Sequence, residues 1–453
     1  MKSYIKDDKA QILLLLSLVT ILFINAFFFN IAGYSYGRFF AILIVAIAAC
    51  LSIENAYYLV VFSFPFASIL KLSATTISIL PILYAIIILK LVLSRNFKIN
   101  NTECIAALII AAMQLLYVAL YGAGMMSIIS IILNIVFVMF SVSYLKSRGS
   151  DSNKLITTSA IFLLVAVALN ILICDIFPDI PYIIDVGKQS ALQADNRFGG
   201  LFIEPNELAQ VILVAVGFFV AVFKSIKSKA LRIILVGIAL YLAINGIRTN
   251  SKSYVLVILG LIVLSFFMYL VYTSKKKGFG TVIVRFIPVF AVLALVSVYL
   301  VINIIIPVFE DRGSTGADIL SNRGEIWSNY LSLLAQRTDV LLAGYGIGNV
   351  SKSLNLIGIE TNVVPHNLYI EFVIQFGLIG LAIFAIAWKT AWREFFKKAR
   401  SLFIIPILAF ATTSLALSAN SNDCFYILML LIAMPYSHTL NNRSDTCEEI
   451  QKC

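Results

Sequence analysis

Charge is scarce in this sequence. Asp, Glu, Lys and Arg make up 13% of its 453 residues against 61% apolar types, which excludes a stack of water-soluble domains and leaves a chain built for a bilayer. Histidine is scarcer still, at two residues, and the six cysteines form no C-x-x-C pair and have no histidine at metal-ligand spacing. No metal site and no cofactor is expected from such a set. The thiols are expected to be free, with Cys174–Cys424 the one pairing left open. Walker and G-x-G-x-x-G elements are missing as well, so nothing in the sequence cradles a nucleotide phosphate.

What the sequence has is apolar runs from end to end, most of them long enough to cross a hydrocarbon core of about 30 Å as a helix. They fall near 11–31, 39–53, 56–70, 76–94, 103–121, 127–145, 155–174, 207–223, 231–247, 253–273, 281–306, 366–388, 402–418 and 424–440. The expected fold is all-α: a polytopic integral membrane protein of about fourteen transmembrane helices, forming one transmembrane domain over 1–453. The first run follows Lys2, Lys6 and Lys9, as a signal peptide would. It is too long for one and continues into Phe27-Phe28-Phe29 without a small-residue cleavage site, so it reads as an anchor.

Basic residues in short loops are retained on the cytoplasmic side. With both termini cytoplasmic, twenty-four of the 34 Lys and Arg fall inside. The net charge of +11 is then mostly a topology signal facing anionic head groups, and needs no nucleic acid to explain it. The span interiors carry almost no Asp, Glu, Lys or Arg, which argues against an ion-coupled transporter.

Two connections on the outer side are long, roughly 175–206 and 307–365. Loops of that length in a compact membrane protein are functional or disordered. The second holds Trp327, Tyr330, Leu331, Leu333 and Leu334 at helical spacing, so the extracytoplasmic loop is expected to be partly helical and folded over the outer face. Gly344-Tyr345-Gly346-Ile347-Gly348 follows as a turn where backbone can approach a ligand.

Four outer groups carry polar chemistry. In Arg197-Phe198-Gly199-Gly200-Leu201-Phe202-Ile203-Glu204-Pro205-Asn206-Glu207, Arg197 either pairs with Asp195 or Glu204 at the interface, or binds an anion together with the following helix N-terminus. Arg248-Thr249-Asn250-Ser251-Lys252-Ser253 sets two cations in a tight connection, as head-group anchors or as anion ligands. In Asn322-Arg323-Gly324-Glu325-Ile326-Trp327, Arg323 either pairs with Glu325 on a solvated face or serves the site. Pro365-His366-Asn367-Leu368-Tyr369-Ile370-Glu371 places an imidazole at the mouth of a span, a helix cap in the plain reading and a general base in the functional one.

The order R-F-G-G-x-F-x-E-P-N, T-x-S-(basic)-S, N-R-x-x-x-W, G-x-G-x-G and P-H-N-x-Y-x-E…G-L-x-G resembles the bacterial O-antigen polymerase and O-antigen ligase superfamily. The resemblance runs from Arg197 to Gly380. It implies a glycosyltransferase-C-like, inverting, metal-independent enzyme in the bacterial inner membrane, working on undecaprenyl-pyrophosphate-linked oligosaccharide as donor and acceptor at the periplasmic face. A chain-length regulator protein and the lipid bilayer are the other implied partners. By position, Arg197, Arg248 and Lys252 would hold the pyrophosphate. His366 would be catalytic with Arg323 assisting, and Glu204, Asn206, Asn367, Tyr369 and Glu371 would support them. Lys252 stands where such proteins often have arginine, which keeps the charge and loses the bidentate fork.

These residue types suit the chemistry. A glycan on pyrophosphate already has a good leaving group, so the enzyme must stabilise charge on phosphate and take a proton from the attacking hydroxyl. The absence of an Asp-x-Asp pair in the outer loops agrees with a lipid-linked rather than a nucleotide donor. The expected activity is polymerisation of lipid-linked repeat units. The alternatives are a ligase passing the glycan to lipid A core or protein, and a non-enzymatic flippase or transporter.

Overall fold

The computed structural model describes residues 2–73, 78–94, 100–122, 125–148, 151–184, 197–202, 204–261, 323–361, 363–398, 401–417 and 423–435. Among these residues the structure is helical, and extended pairing is confined to the isolated bridge between Lys71 and Ser78. The helices are α1 (Lys2–Ala32), α2 (Tyr34–Cys50), α3 (Ile53–Ser63), α4 (Leu80–Ser94), α5 (Asn101–Tyr121), α6 (Met125–Arg148), α7 (Asp151–Ile176) and the short α8 (Ile180–Ile184). They continue with α9 (Pro205–Val222), α10 (Lys229–Ile247) and α11 (Lys252–Leu261), then α12 (Arg323–Gln336) and α13 (Thr338–Ala343). The last four are α14 (Leu368–Ala387), α15 (Lys389–Lys398), α16 (Ile404–Thr413) and α17 (Asp423–Ala433).

Local chemistry sets several of these ends. Ser52, Asn100, Ser228 and Asn367 each accept a backbone N–H from the first turn of the helix they precede, satisfying donors that have no intrahelical partner. Pro205 opens α9, where its missing N–H is harmless. At the opposite end of the bundle, Lys90 Nζ donates to the carbonyls of Ala49 and Leu51 at 2.8 and 2.5 Å, a cation closing the C-terminus of α2.

Seven of the described helices are long and apolar enough to cross a membrane, over Lys9–Ala32, Asn101–Tyr121, Ile128–Arg148, Ser152–Ile176, Pro205–Ser225, Lys229–Ile247 and Leu368–Ala387. Shorter apolar helices accompany them, and the chain is a polytopic helical membrane protein. The expected spans at 281–306 and over most of 253–273 lie outside the described residues, as does 307–322 of the long loop.

One expected span takes a different form. The run at 56–70 is α3 followed by a 3-10 turn, Phe64–Phe66. Eleven residues of helix extend only about 16 Å. Residues Ala56 to Phe66 are all buried, so α3 is a core helix enclosed by its neighbours. An all-apolar run reads alike in both settings, and only length separates a buried helix from a lipid-facing one.

The remaining faces sort by environment. Leu108, Leu116 and Leu120 on α5 and Ile233, Leu240 and Ile244 on α10 are exposed, as a lipid-facing surface requires. By contrast α9 is buried over nearly its whole length and packs between α7 and α16, which places its N-terminus, with Glu204 and Asn206, in the middle of the bundle's end. The expected helical loop is present: α12, α13 and a 3-10 helix over Ser351–Ile357 enclose a small separate core of Tyr330, Leu333, Val340, Val350, Leu354 and Ile374. Cys50, Cys104 and Cys174 are free thiols.

Candidate functional site

Asn206 joins the first two sequence groups. Its side-chain oxygen accepts from Arg197 Nη2 at 3.4 Å and from Ser251 Oγ at 2.9 Å, while its amide nitrogen donates to Glu204 Oε1 at 2.9 Å. Ser251 Oγ also lies 2.8 Å from Ser253 Oγ. The loop before α9 and the turn between α10 and α11 therefore share one polar network, and Asn206, Thr249 and Ser251 are buried within it. Lys252 stands half-buried at the start of α11, between the two serines.

A second link is made by Arg248. Its carbonyl accepts the Phe198 N–H at 3.1 Å, and its guanidinium lies over the Phe198 ring, 4.3 Å from the centroid. The same guanidinium donates to both oxygens of Asp175, at 2.8 and 3.2 Å, and to Asn245 Oδ1 at 2.7 Å. Asp175 closes α7, a helix that the motifs do not reach. The turn itself is tight: Asn250 has φ 48°, and Thr249 and Asn250 bond back to Gly246 and Ile247.

The N-terminal helices also hold the Arg197 loop from below. Asn170, buried in α7, accepts the Leu201 N–H at 3.2 Å and donates to the Pro65 carbonyl at 2.6 Å, and Ser68 Oγ donates to the Leu201 carbonyl at 2.6 Å. Gly200 has φ 58°, and a Cβ there would sit 2.5 Å from Asn170 Oδ1.

His366 is held by α12. Trp327 Nε1 donates to the Pro365 carbonyl at 2.8 Å, and Tyr330 Oη donates to the Val363 carbonyl at 2.8 Å. His366 itself has φ 47°, a conformation unusual outside glycine. Asn367 then starts α14 by accepting the N–H groups of Tyr369 and Ile370 at 3.0 and 3.2 Å. Partial burial lowers the His366 pKa from its ordinary value; the Arg323 guanidinium lowers it further, and the Glu204 carboxylate opposes them. Imidazole, guanidinium and carboxylate from three separated segments are thus close enough to act on one another. The neutral imidazole that results is the form able to accept a proton.

The N-terminal turns of α14 are tied to their neighbours. Tyr369 Oη reaches away to the Ala411 carbonyl at 2.9 Å, tying α14 to α16. Glu371 is fully buried, and its charge helps burial push the Tyr330 phenol up.

At Gly344 and Gly346 the glycine-rich turn is filled by protein rather than left open to a ligand, which corrects the expectation there, while Gly348 is exposed. A Cβ at Gly344 would meet the backbone of Phe376 and Gly377 at 2.6–2.7 Å, and one at Gly346 would meet Tyr117 at 2.6 Å. Gly377, at φ 65° and ψ 172°, interrupts α14, and just before it the carbonyls of Ile374 and Gln375 accept the N–H groups of Tyr345 and Gly346 at 2.6 and 3.1 Å. From α5, Gln114 accepts the Ile347 N–H at 3.0 Å, Tyr117 Oη donates to the Ala343 carbonyl, and Tyr121 stacks on Tyr345 at 4.2 Å. Gly344 and Gly346 make a packing joint that fixes α12 and α13 to the bundle.

The structure therefore joins Arg197, Glu204, Asn206 and Ser251 in one network and ties Arg248 to the same loop through Phe198, while Arg323 and Glu204 each come near enough to His366 to act on its charge. Sequence reasoning missed Asp175 and Asn170; it named Phe198, Trp327 and Tyr330 within motifs or the loop helix and gave them no part in the site. Asp175 carried a faint signal, as an acid directly after the apolar run at 155–174.

Residues 237–385 match the family model described as O-antigen ligase. The matched stretch contains Arg248, Lys252, Arg323, His366, Asn367, Tyr369 and Glu371, while Arg197, Glu204 and Asn206 precede it. Among curated proteins none matches the chain. The match supports the O-antigen polymerase/ligase superfamily.

Proposed function

We propose that this protein polymerises undecaprenyl-pyrophosphate-linked oligosaccharide repeat units into O-antigen or a related surface polysaccharide, at the periplasmic face of a bacterial inner membrane. The observation that carries the reading is the juxtaposition of a neutral, half-buried His366 with Arg323 and Glu204, next to the Arg197–Asn206–Ser251 network. His366 takes the proton of the acceptor hydroxyl as that oxygen attacks the anomeric carbon of the donor. The bond from that carbon to the pyrophosphate breaks with inversion, and its electron pair leaves with the diphosphate. Arg197, Arg248, Arg323 and Lys252 offset the charge that collects there, and no metal is used. Glu204 faces the imidazolium formed in this step and favours it. The basic-residue asymmetry supports cytoplasmic termini and a periplasmic site.

A ligase is the second reading, favoured by the description of the matching family model. It uses the same donor and the same proton transfer and differs only in the acceptor. Deleting the gene and resolving surface polysaccharide by size separates the two. Single repeats on the lipid core support the polymerase. Bare core with accumulated lipid-linked polymer supports the ligase, and unchanged long chains refute both.

A further inference from the structure

Arg248 reaches its place through contacts that the polymerase chemistry does not require. Two of its N–H groups, one on each Nη, go to Asp175, and the second Nη1 hydrogen goes to Asn245 Oδ1. One face of the guanidinium is covered by Phe198. Among the described residues, the donors left over are Nε–H and the outer Nη2–H. These two are parallel and adjacent, the spacing that meets two oxygens of one phosphate. The Arg248 side chain is 45% exposed, so the group as a whole is open to an outside ligand.

We propose that Asp175 is a positioning residue of the diphosphate site: it grips the far edge of Arg248 so that the Nε/Nη2 edge stays presented to the lipid-linked donor. The grip also fixes the loop carrying Arg197, because the Arg248 carbonyl holds the Phe198 N–H at 3.1 Å. This rests on the reading of the site as a diphosphate-binding glycosyltransferase. An ion pair as exposed as this one contributes little to stability, so the carboxylate can be removed without unfolding the chain. Asp175 adds a negative charge beside an anion site, and a carboxylate that merely competed for Arg248 would weaken donor binding. The sign of the mutational effect therefore distinguishes aiming from competition.

The test uses the full chain in lipid nanodiscs, with equilibrium binding of undecaprenyl diphosphate as the probe and initial rates with a lipid-linked repeat unit. Asp175→Ala is expected to raise the probe Kd and the donor KM about tenfold with kcat within about twofold, the loss of one oriented charge-assisted contact. Asp175→Glu should recover part of that loss. In an Arg248→Ala background, Asp175→Ala should add less than about twofold, since its effect passes through Arg248. Tighter binding in Asp175→Ala, unchanged binding, or a full additional loss in the Arg248→Ala background would each overturn the proposal. His366→Ala is the control for the underlying reading: if it turns over normally, that reading fails, while the binding measurements still decide the role of Asp175.

Discussion

Replacing Gly200 with alanine isolates the joint between the N-terminal helices and the Arg197 loop. At φ 58° an alanine is strained by roughly 1–2 kcal/mol. Its Cβ would also stand 2.5 Å from Asn170 Oδ1, far inside contact distance. Asn170 cannot step aside freely, because it accepts from Leu201 and donates to Pro65 in a buried setting. Breaking one such bond costs roughly 1–3 kcal/mol, so the substitution should destabilise the joint by about 2–5 kcal/mol in all. Gly122 is the internal control: its φ is 69° and nothing lies within 4 Å of the added Cβ, so alanine there carries only the strain. Thermal melting in nanodiscs and initial rates should show Gly200→Ala clearly less stable and less active than Gly122→Ala. Equal melting and equal rates for the two variants would refute the clamp.

The acid limb of kcat/KM should lie below the ordinary histidine value of 6.5, with activity rising as pH rises through it, because His366 must be neutral to act and its pKa is lowered. Arg323→Gln removes a cation that lowers this pKa and should move the limb up; Glu204→Gln removes a carboxylate that raises it and should move the limb down. A limb that stays put in both variants would remove His366 from the titration. Trp327→Phe leaves the Pro365 carbonyl without its donor and should lower kcat about tenfold through misplacement of His366, with donor KM measured alongside. Lys252→Arg should retain activity while Lys252→Ala raises donor KM, if the charge there serves the diphosphate; indifference to both would make Lys252 an anchor.

Much of the fold was legible because hydrophobic length is a direct signal in a bilayer: α1, α5, α6, α7, α9, α10 and α14 all lie within a few residues of expected spans. At 56–70 the helix is shorter than the apolar run that holds it, because burial by protein and burial by lipid select the same residues and the pattern does not mark where the helix stops. Arg197 and His366 stood out as polar residues stationed where apolar helices begin, and Arg323 as a cation in the long loop; the roles given to them are the ones proposed above. Asp175 and Asn170 were not, since each acts across a contact of 73 or 31 residues that no local pattern encodes. The glycines at 344–348 were read as open backbone. Their partners, Tyr117 and Gly377, lie on other helices, and a glycine's missing side chain does not say what occupies the space.

The most direct measurement compares wild type and His366→Ala, each purified into nanodiscs with an undecaprenyl-pyrophosphate-linked repeat unit. The account predicts that wild type extends the glycan and releases undecaprenyl diphosphate, while the variant binds the donor with similar affinity and forms no longer product. Chain extension by His366→Ala at the wild-type rate would contradict it.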